Sequence, residues 1–271
     1  MQRYFPGARY LYWGLNAAGL AGAAGLTVYL SGAVPWLKDV LLCILFGLAV
    51  FLIWMILTTR LAASLARRNL RKIIDILENE CDPEKYTAIL QRMAAIPNKD
   101  IFKNYITLKT CTGLVHMGRY DEAEKMLASL ENAPAQSMGA ANRYEYIRNR
   151  SAILLRQGEY GKVEEEISQL ADLHDVSRDA RYKRNASYQI ELYNAVMLAN
   201  QGKYRDAEEA LKELYDTAAN ELQRVTAQYR LGEAYLKAGK KEKAREAFQY
   251  AAEHGNKLHM AEEAKVKLAE I

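Results

Sequence analysis

YRLGEAYLKAGKKEKAREAF, residues Tyr229 to Phe248, is the stretch whose reading decides the fold. Leu231-Gly232 comes first, Tyr235 follows, and Ala244 and Phe248 come after a break at Gly239. Helix formers dominate on both sides of the break, so the stretch reads as two short helices joined by a tight turn. Gly239 suits that turn, because a residue free to take positive φ ends the first helix. Gly232 and Ala244 are small where two antiparallel helices must touch, and Leu231, Tyr235 and Phe248 fill the space around the contact. One such pair cannot bury its own apolar face, so further copies are required.

Three more copies of the turn are present. His116-Met117-Gly118-Arg119-Tyr120 leads into Asp121-Glu122-Ala123, and Arg156-Gln157-Gly158-Glu159-Tyr160 leads into Gly161-Lys162-Val163. Asn200-Gln201-Gly202-Lys203-Tyr204 leads into Arg205-Asp206-Ala207, and the last copy, Ala238-Gly239-Lys240-Lys241, leads into Glu242-Lys243-Ala244. Each has Gly, then a charged residue, then an aromatic or Lys, and a small or branched residue five positions after the Gly. The order resembles the tetratricopeptide repeat (TPR), written W-x2-L-G-x2-Y, later A-x3-F, later P. Gln228 stands at the Trp position and no Pro closes the repeat. The glycines are 40, 44 and 37 residues apart, longer than the usual TPR period of about 34. The excess is expected in longer helices or in the segments Glu131 to Ala140 and Leu173 to Ser177. Cys111 occupies the small-residue seat equivalent to Gly232.

Upstream lies a different kind of sequence. Residues 11–30 are uncharged, residues 40–57 are more strongly apolar, and the whole of 1–59 carries only Arg3, Arg9, Lys38 and Asp39. Each run is about long enough to cross a bilayer as a helix. Ser31, Gly32 and Pro35 supply a turn, and Tyr10, Tyr12, Trp13 and Trp36 are placed as interfacial anchors. Arg60, Arg67, Arg68, Arg71 and Lys72 follow the second run, so both termini are expected inside and the turn outside. That placement implies a multi-pass protein, taken here as bacterial inner membrane, with cytoplasmic N- and C-termini. Ser31-Gly32-Ala33 also reads as a signal-peptide cleavage site. Ala18 with Gly22 and Ala21 with Gly25 are small-xxx-small pairs, suited to packing the hairpin on itself or to forming a homo-oligomer through the first span.

The expected fold is all-α: an N-terminal transmembrane helical hairpin followed by a TPR-like α-solenoid of antiparallel helix pairs. Residues 1–59 form the hairpin, with spans at about 11–30 and 38–58. Residues 60–100 form a juxtamembrane pair, a degenerate first repeat in which Asp82-Pro83 is an N-cap with Pro at the first helical position and Pro97-Asn98 closes the second helix. Residues 101–256 hold the TPR-like repeats, and 257–271 form a helix that caps the end of the stack.

The 271 residues are 26% charged, with 34 basic and 32 acidic side chains once the four in 1–59 are set aside. That balance argues against nucleic acid as a partner. Cys43, Cys81 and Cys111 form no CxxC and no disulfide framework. His116, His174, His254 and His259 lack metal-ligand spacing, and no phosphate loop or nucleophile elbow is present. No catalytic residue, cofactor or metal is therefore expected. Glu164, Glu165 and Glu166 read as a solvated helix face.

Placing each copy on Tyr229–Phe248 selects the side chains of the inner face. These are Tyr105, Lys109, Thr112 and His116, then Arg148, Asn149 and Arg156. The third copy adds Gln189, Tyr193 and Asn200, and the fourth adds Tyr229, Arg230, Glu233 and Lys237. The TPR resemblance implies that this groove binds a protein or peptide segment. Arg and Lys pair with anions and Tyr gives rigid contact area, which suits a ligand with acidic groups. The function implied is a non-catalytic, membrane-anchored scaffold or adaptor at the cytoplasmic face. The alternative is an assembly or oligomerisation subunit in which the repeats are a spacer or docking element.

Overall fold

The computed structural model describes residues 6–33, 40–95, 100–133, 138–176 and 180–271. The expected turn at Pro35 and Trp36, together with Arg3, Pro97-Asn98, Pro134 and Ser177, lies outside the described residues. Two compact units divide the chain, Met1–Lys72 and a second made of Ile73–Ala95 with Lys99–Ile271. The division falls later than the boundary expected at residue 59.

In the first unit, α1 (Pro6–Ala33) runs beside the first part of α2 (Val40–Glu78). Trp54 Nε1 donates to the Leu15 carbonyl at 2.9 Å, and Thr58 Oγ1 donates to Asn16 Oδ1 at 3.0 Å. Gly19 is what allows this approach, since a Cβ there would overlap the Trp54 indole. Among the described residues one segment, Ile44–Glu78, is long and apolar enough to cross a membrane by length and composition. Helix α1 does not meet that measure, because its glycines, Asn16 and Thr27 dilute its apolar content. Helix α2 continues without a break from the apolar run to Glu78, as the spacing of Leu61, Leu65, Leu70 and Ile73 predicts.

The second unit is a stack of helix pairs. Helix α3 (Pro83–Ala94) is capped by Asp82, whose carboxylate accepts from Lys85 N at 2.9 Å, with Pro83 at the first position. Then come α4 (Asp100–His116) with α5 (Tyr120–Ala128), and α6 (Ala140–Gln157) with α7 (Tyr160–Val176). The last pairs are α8 (Ala180–Asn200) with α9 (Tyr204–Asp216), and α10 (Glu221–Lys237) with α11 (Lys241–His254). Helix α12 (His259–Glu270) follows. No strand occurs among the described residues.

The four turn glycines behave as their recurrence demands. Gly118, Gly158, Gly202 and Gly239 have φ of +74°, +77°, +80° and +73°, a left-handed conformation that costs other residues about 1–2 kcal/mol. Seven residues before each of these glycines comes a seat of closest helix contact: Cys111, Ser151, Ala195 and Gly232. All four are buried, as are Ala123, Val163, Ala207 and Ala244, each twelve residues further along the chain. Cys111 Sγ lies 3.5 Å from the Ala123 carbonyl, and a Cβ on Gly232 would meet the Phe248 ring at 2.7 Å. The 44-residue interval is taken up by helix length, since α7 has 17 residues and α8 has 21, whereas the 40-residue interval holds an α5 of only 9 residues and the segment 129–139 before α6.

One expectation about the end of the stack needs correction. Residues 257–271 do pack on α11, yet they do more than cover an exposed end. The α11–α12 turn returns to the start of the unit. Lys257 N donates to the Cys81 carbonyl at 3.2 Å, Asn256 Nδ2 to the Glu80 carbonyl at 2.7 Å, and Lys257 Nζ pairs with Asp82 at 2.9 Å. Helix α12 then lies across the inner side, with His259 against Gly118 and Glu263 on Arg156 at 2.9 Å. The repeats therefore close into a ring. A second correction concerns Glu166, which is buried 3.4 Å from Arg150, while Glu164 and Glu165 are exposed. Three residues after the buried Val163, Glu166 shares its inward face.

Candidate functional site

The inner wall is supplied by the first helix of each pair. Positions 13, 9, 6 and 2 before each turn glycine form one stripe, as i, i+4, i+7 and i+11 do on any α-helix. Helix α4 thereby presents Lys109, Thr112 and His116; α8 presents Gln189, Tyr193, Val196 and Asn200; α10 presents Arg230, Glu233 and Lys237. These side chains line two adjoining cavities that share His116, Tyr120, Ala152, Val196, Arg230 and Met260. Each is about 150 Å³; the first is walled by Lys109, Thr112, Arg148, Asn149, Gln189 and Tyr193 among others. The other carries Arg156, Asn200, Tyr229, Glu233 and Lys237, and is completed by His259 and Glu263 of α12. Tyr105 lines neither cavity. It stacks on Phe102 and faces the Lys109 ammonium.

Behind Lys109 and Arg148 stands a carboxylate that the sequence reading passed over, one that lines neither cavity itself. Glu145 accepts from Lys109 Nζ at 2.5 Å and pairs with Arg148 Nη2 at 2.9 Å, and its side chain is only 8% exposed. Arg148 Nη2 also donates to Thr112 Oγ1 at 2.8 Å. Thr112 in turn donates to Asn149 Oδ1 at 3.0 Å, and Asn149 Nδ2 donates to the Leu108 carbonyl at 2.9 Å. Tyr193 OH anchors the far side by donating to the Arg148 carbonyl at 2.9 Å. Glu145 stands 13 residues before Gly158, the register of Tyr105 and Gln189, so the stripe itself was the signal for it.

Burial pushes the Glu145 carboxyl up, but Arg148 and Lys109 outweigh it and hold the group below the usual carboxylate range. Burial works against the Arg148 charge as well, and Glu145 more than compensates, raising its pKa. His116 has no such carboxylate partner. Burial, reinforced by the Arg148 charge, pushes its imidazole down to about 3, so it stands neutral at pH 7.

The second cavity is organised by α12. Glu263 accepts from Tyr229 OH at 2.9 Å and from Arg156 Nη1 at 2.9 Å, and lies 3.3 Å from His259 Nε2. Burial raises the Glu263 pKa, while Tyr229, His259 and Arg156 lower it by more, so it is ionised in place. Arg230 pairs with Glu233 at 2.7 Å, and Lys237 donates to Asn200 Oδ1. Thus Arg156 and Tyr229, expected to face a ligand, are engaged by the chain's own helix.

Among the described residues, no group of three or more His, Cys, Asp or Glu is placed to hold a metal ion. The buried thiols of Cys81 and Cys111 are both pushed up to about 12 by burial, which leaves them unreactive. What the inner face does offer is hydrogen-bond donors, tyrosine rings and fixed charge, the equipment of recognition.

The family model described as SusR N-terminal TPR domain matches residues 85–271. No curated protein and no solved structure matches the chain.

Proposed function

Since the chain belongs to the SusR N-terminal TPR domain family, we propose that it is a non-catalytic docking protein whose TPR domain is held at the cytoplasmic face of a membrane. TPR domains are protein-interaction modules, and the inner stripe of Arg, Lys, Asn, Gln and Tyr suits a partner segment with acidic groups. The single observation that carries this reading is the convergence of that stripe on two adjoining cavities. In this proposal residues 1–59 anchor the protein as a two-span hairpin, 60–100 form the juxtamembrane pair, 101–256 the docking repeats and 257–271 the closing helix.

The membrane anchor is supported by what α1 and α2 leave uncovered. Val28 is 72% exposed, and Leu52, Ile53 and Ile56 all exceed half exposure. Side chains of this kind need a non-aqueous cover. The polar groups of the pair are bonded internally, Thr58 to Asn16 and Thr27 to the Ala23 carbonyl, as lipid requires. Reporter fusions at either terminus and at the α1–α2 turn test the topology; an external C-terminus refutes it. Capture with the anchor intact tests docking. Charge reversal at Arg148 and Arg230 should abolish partner recovery, and undiminished recovery from folded variants refutes the inner-face site.

A second reading, self-association through the first span, is favoured by one observation. Gly19 is occupied by Trp54, whereas a Cβ on Gly14, Gly22 or Gly25 would meet nothing within 4 Å. Their small face is open to a second helix. Crosslinking in detergent should trap dimers that Gly22→Leu abolishes; a monomer under all conditions refutes this reading.

A further inference from the structure

We propose that the cavity of the ring lined by Arg148 is a binding site for a small carboxylic acid with a flat apolar body, a monoanion of about benzoate size seated on Arg148. This goes beyond docking of a partner segment, and it rests on the closure of the ring. With α12 across the inner side and the α11–α12 turn bonded to residues 80–82, the interior holds two adjoining cavities of about 150 Å³ each, and the one that Arg148 lines is the candidate site. A void of that size accommodates a benzene-sized body. It lies well under the roughly 300–1,000 Å³ of sites for drug-sized ligands.

The walls define the ligand. Tyr144, Tyr188, Tyr193, Leu192, Val196 and Met260 offer flat and apolar surface. Lys109 and Arg148 share the single carboxylate of Glu145, which leaves one buried positive charge in excess at that point. Glu78, also on the cavity wall, offsets part of the field and so selects for one negative charge over two. Hydrogen-bonding capacity is left over as well. Arg148 spends Nη2 on Glu145 and Thr112, and its Nε and Nη1 have no bonded partner among the described residues. The same holds for the Gln189 amide and the neutral His116 imidazole, both on the cavity wall. Arg148, Gln189 and His116 are each partly exposed on the cavity wall, so these four donors are open to an acceptor that enters it. A carboxylate satisfies them in the bidentate manner that a guanidinium prefers.

The test is titration of the full chain in detergent with benzoate and with benzamide, its neutral isostere, followed by ligand-observed NMR. Benzoate should bind saturably and at least about ten-fold more tightly than benzamide, the preference of a charge-assisted over a neutral hydrogen bond. Ala152→Phe, which fills the cavity without touching a charge, should abolish benzoate binding. Val196→Phe serves the same purpose if Ala152→Phe does not fold. Arg148→Lys should weaken benzoate at least about ten-fold, because the fork geometry is lost. Equal affinity for acid and amide overturns the proposal, as does undiminished benzoate binding by a folded cavity-filling variant. Partner recovery by the unsubstituted full chain, measured without benzoate, reports on docking separately, so either idea can fail alone.

Discussion

Replacing Gly118 with alanine tests the closure of the ring, because three sister positions provide internal controls. All four turn glycines have φ between +73° and +80°. Alanine at any of them meets the same backbone cost of about 1–2 kcal/mol. At Gly158, Gly202 and Gly239 nothing else stands within 4 Å of the added methyl, so that cost is the whole effect. At Gly118 the methyl would lie 2.5 Å from His259 Cγ and 2.6 Å from Nδ1. The imidazole has little freedom to retreat, since it packs edge-on to Tyr120 and lies 3.3 Å from Glu263. Forcing extra volume into such a contact costs about 1–3 kcal/mol more. Urea denaturation of the four variants should therefore give three similar losses and one larger by that amount. In thermal terms the excess is about 2–12 °C for a domain of this size. Adding His259→Ala should remove the excess at Gly118 and leave the Gly158 variant unchanged. Four equal losses would refute the seating of α12 on the first repeat turn.

Three further outcomes are expected. Glu145→Ala leaves two cations side by side without their carboxylate, and should cost about 3–5 kcal/mol in urea unfolding; Lys109→Met keeps the Glu145–Arg148 pair and should cost less, so a reversed order refutes the assignment of Glu145 as the shared partner. Stability should fall with acid through His116, whose folded pKa of about 3 lies below its ordinary value of 6.5. The unfolded chain takes up the proton first, so this contribution is complete above about pH 6.5 and is lost progressively down to about pH 3, at no more than about 1.4 kcal/mol per pH unit. His116→Gln should flatten that slope, and an unchanged pH profile counts against a buried neutral imidazole. In the first unit, Gly19→Ala must displace the Trp54 indole while Gly22→Ala displaces nothing; tryptophan emission, with Trp13 and Trp36 replaced by Phe, should shift for the first and not for the second.

Much of the inner face could be placed by counting from the glycines. Lys109, Asn149, Tyr193 and Arg230 each stand nine residues before one, and all four line the cavity that holds Arg148. Counting alone also pointed to Glu145, yet composition drew attention to Arg148 and Arg156 in that copy, and the buried carboxylate between Arg148 and Lys109 was passed over. Glu166 shows the opposite failure. A run of three glutamates looks solvated, and only the facing Arg150 reveals that the third turns inward. Tyr105 holds the inner-stripe register and still misses the cavities, because Phe102 and Lys109 engage its ring.

Tyr229 to Phe248 by itself determined the helix pair, its turn and the small-residue seat between the helices. These depend on residues close along the chain, and on a glycine that alone takes positive φ at low cost. The repetition of that pattern determined the α-solenoid. What only the tertiary structure decided is the ring: Asn256 on Glu80, Lys257 on Asp82 and Glu263 on Arg156 join residues 107 to 176 positions apart. Such contacts are set by the small rotation from each pair to the next, summed over the whole stack, and no local motif encodes a sum. That closure turns the inner face from an open groove into a cavity partly filled by the chain's own last helix.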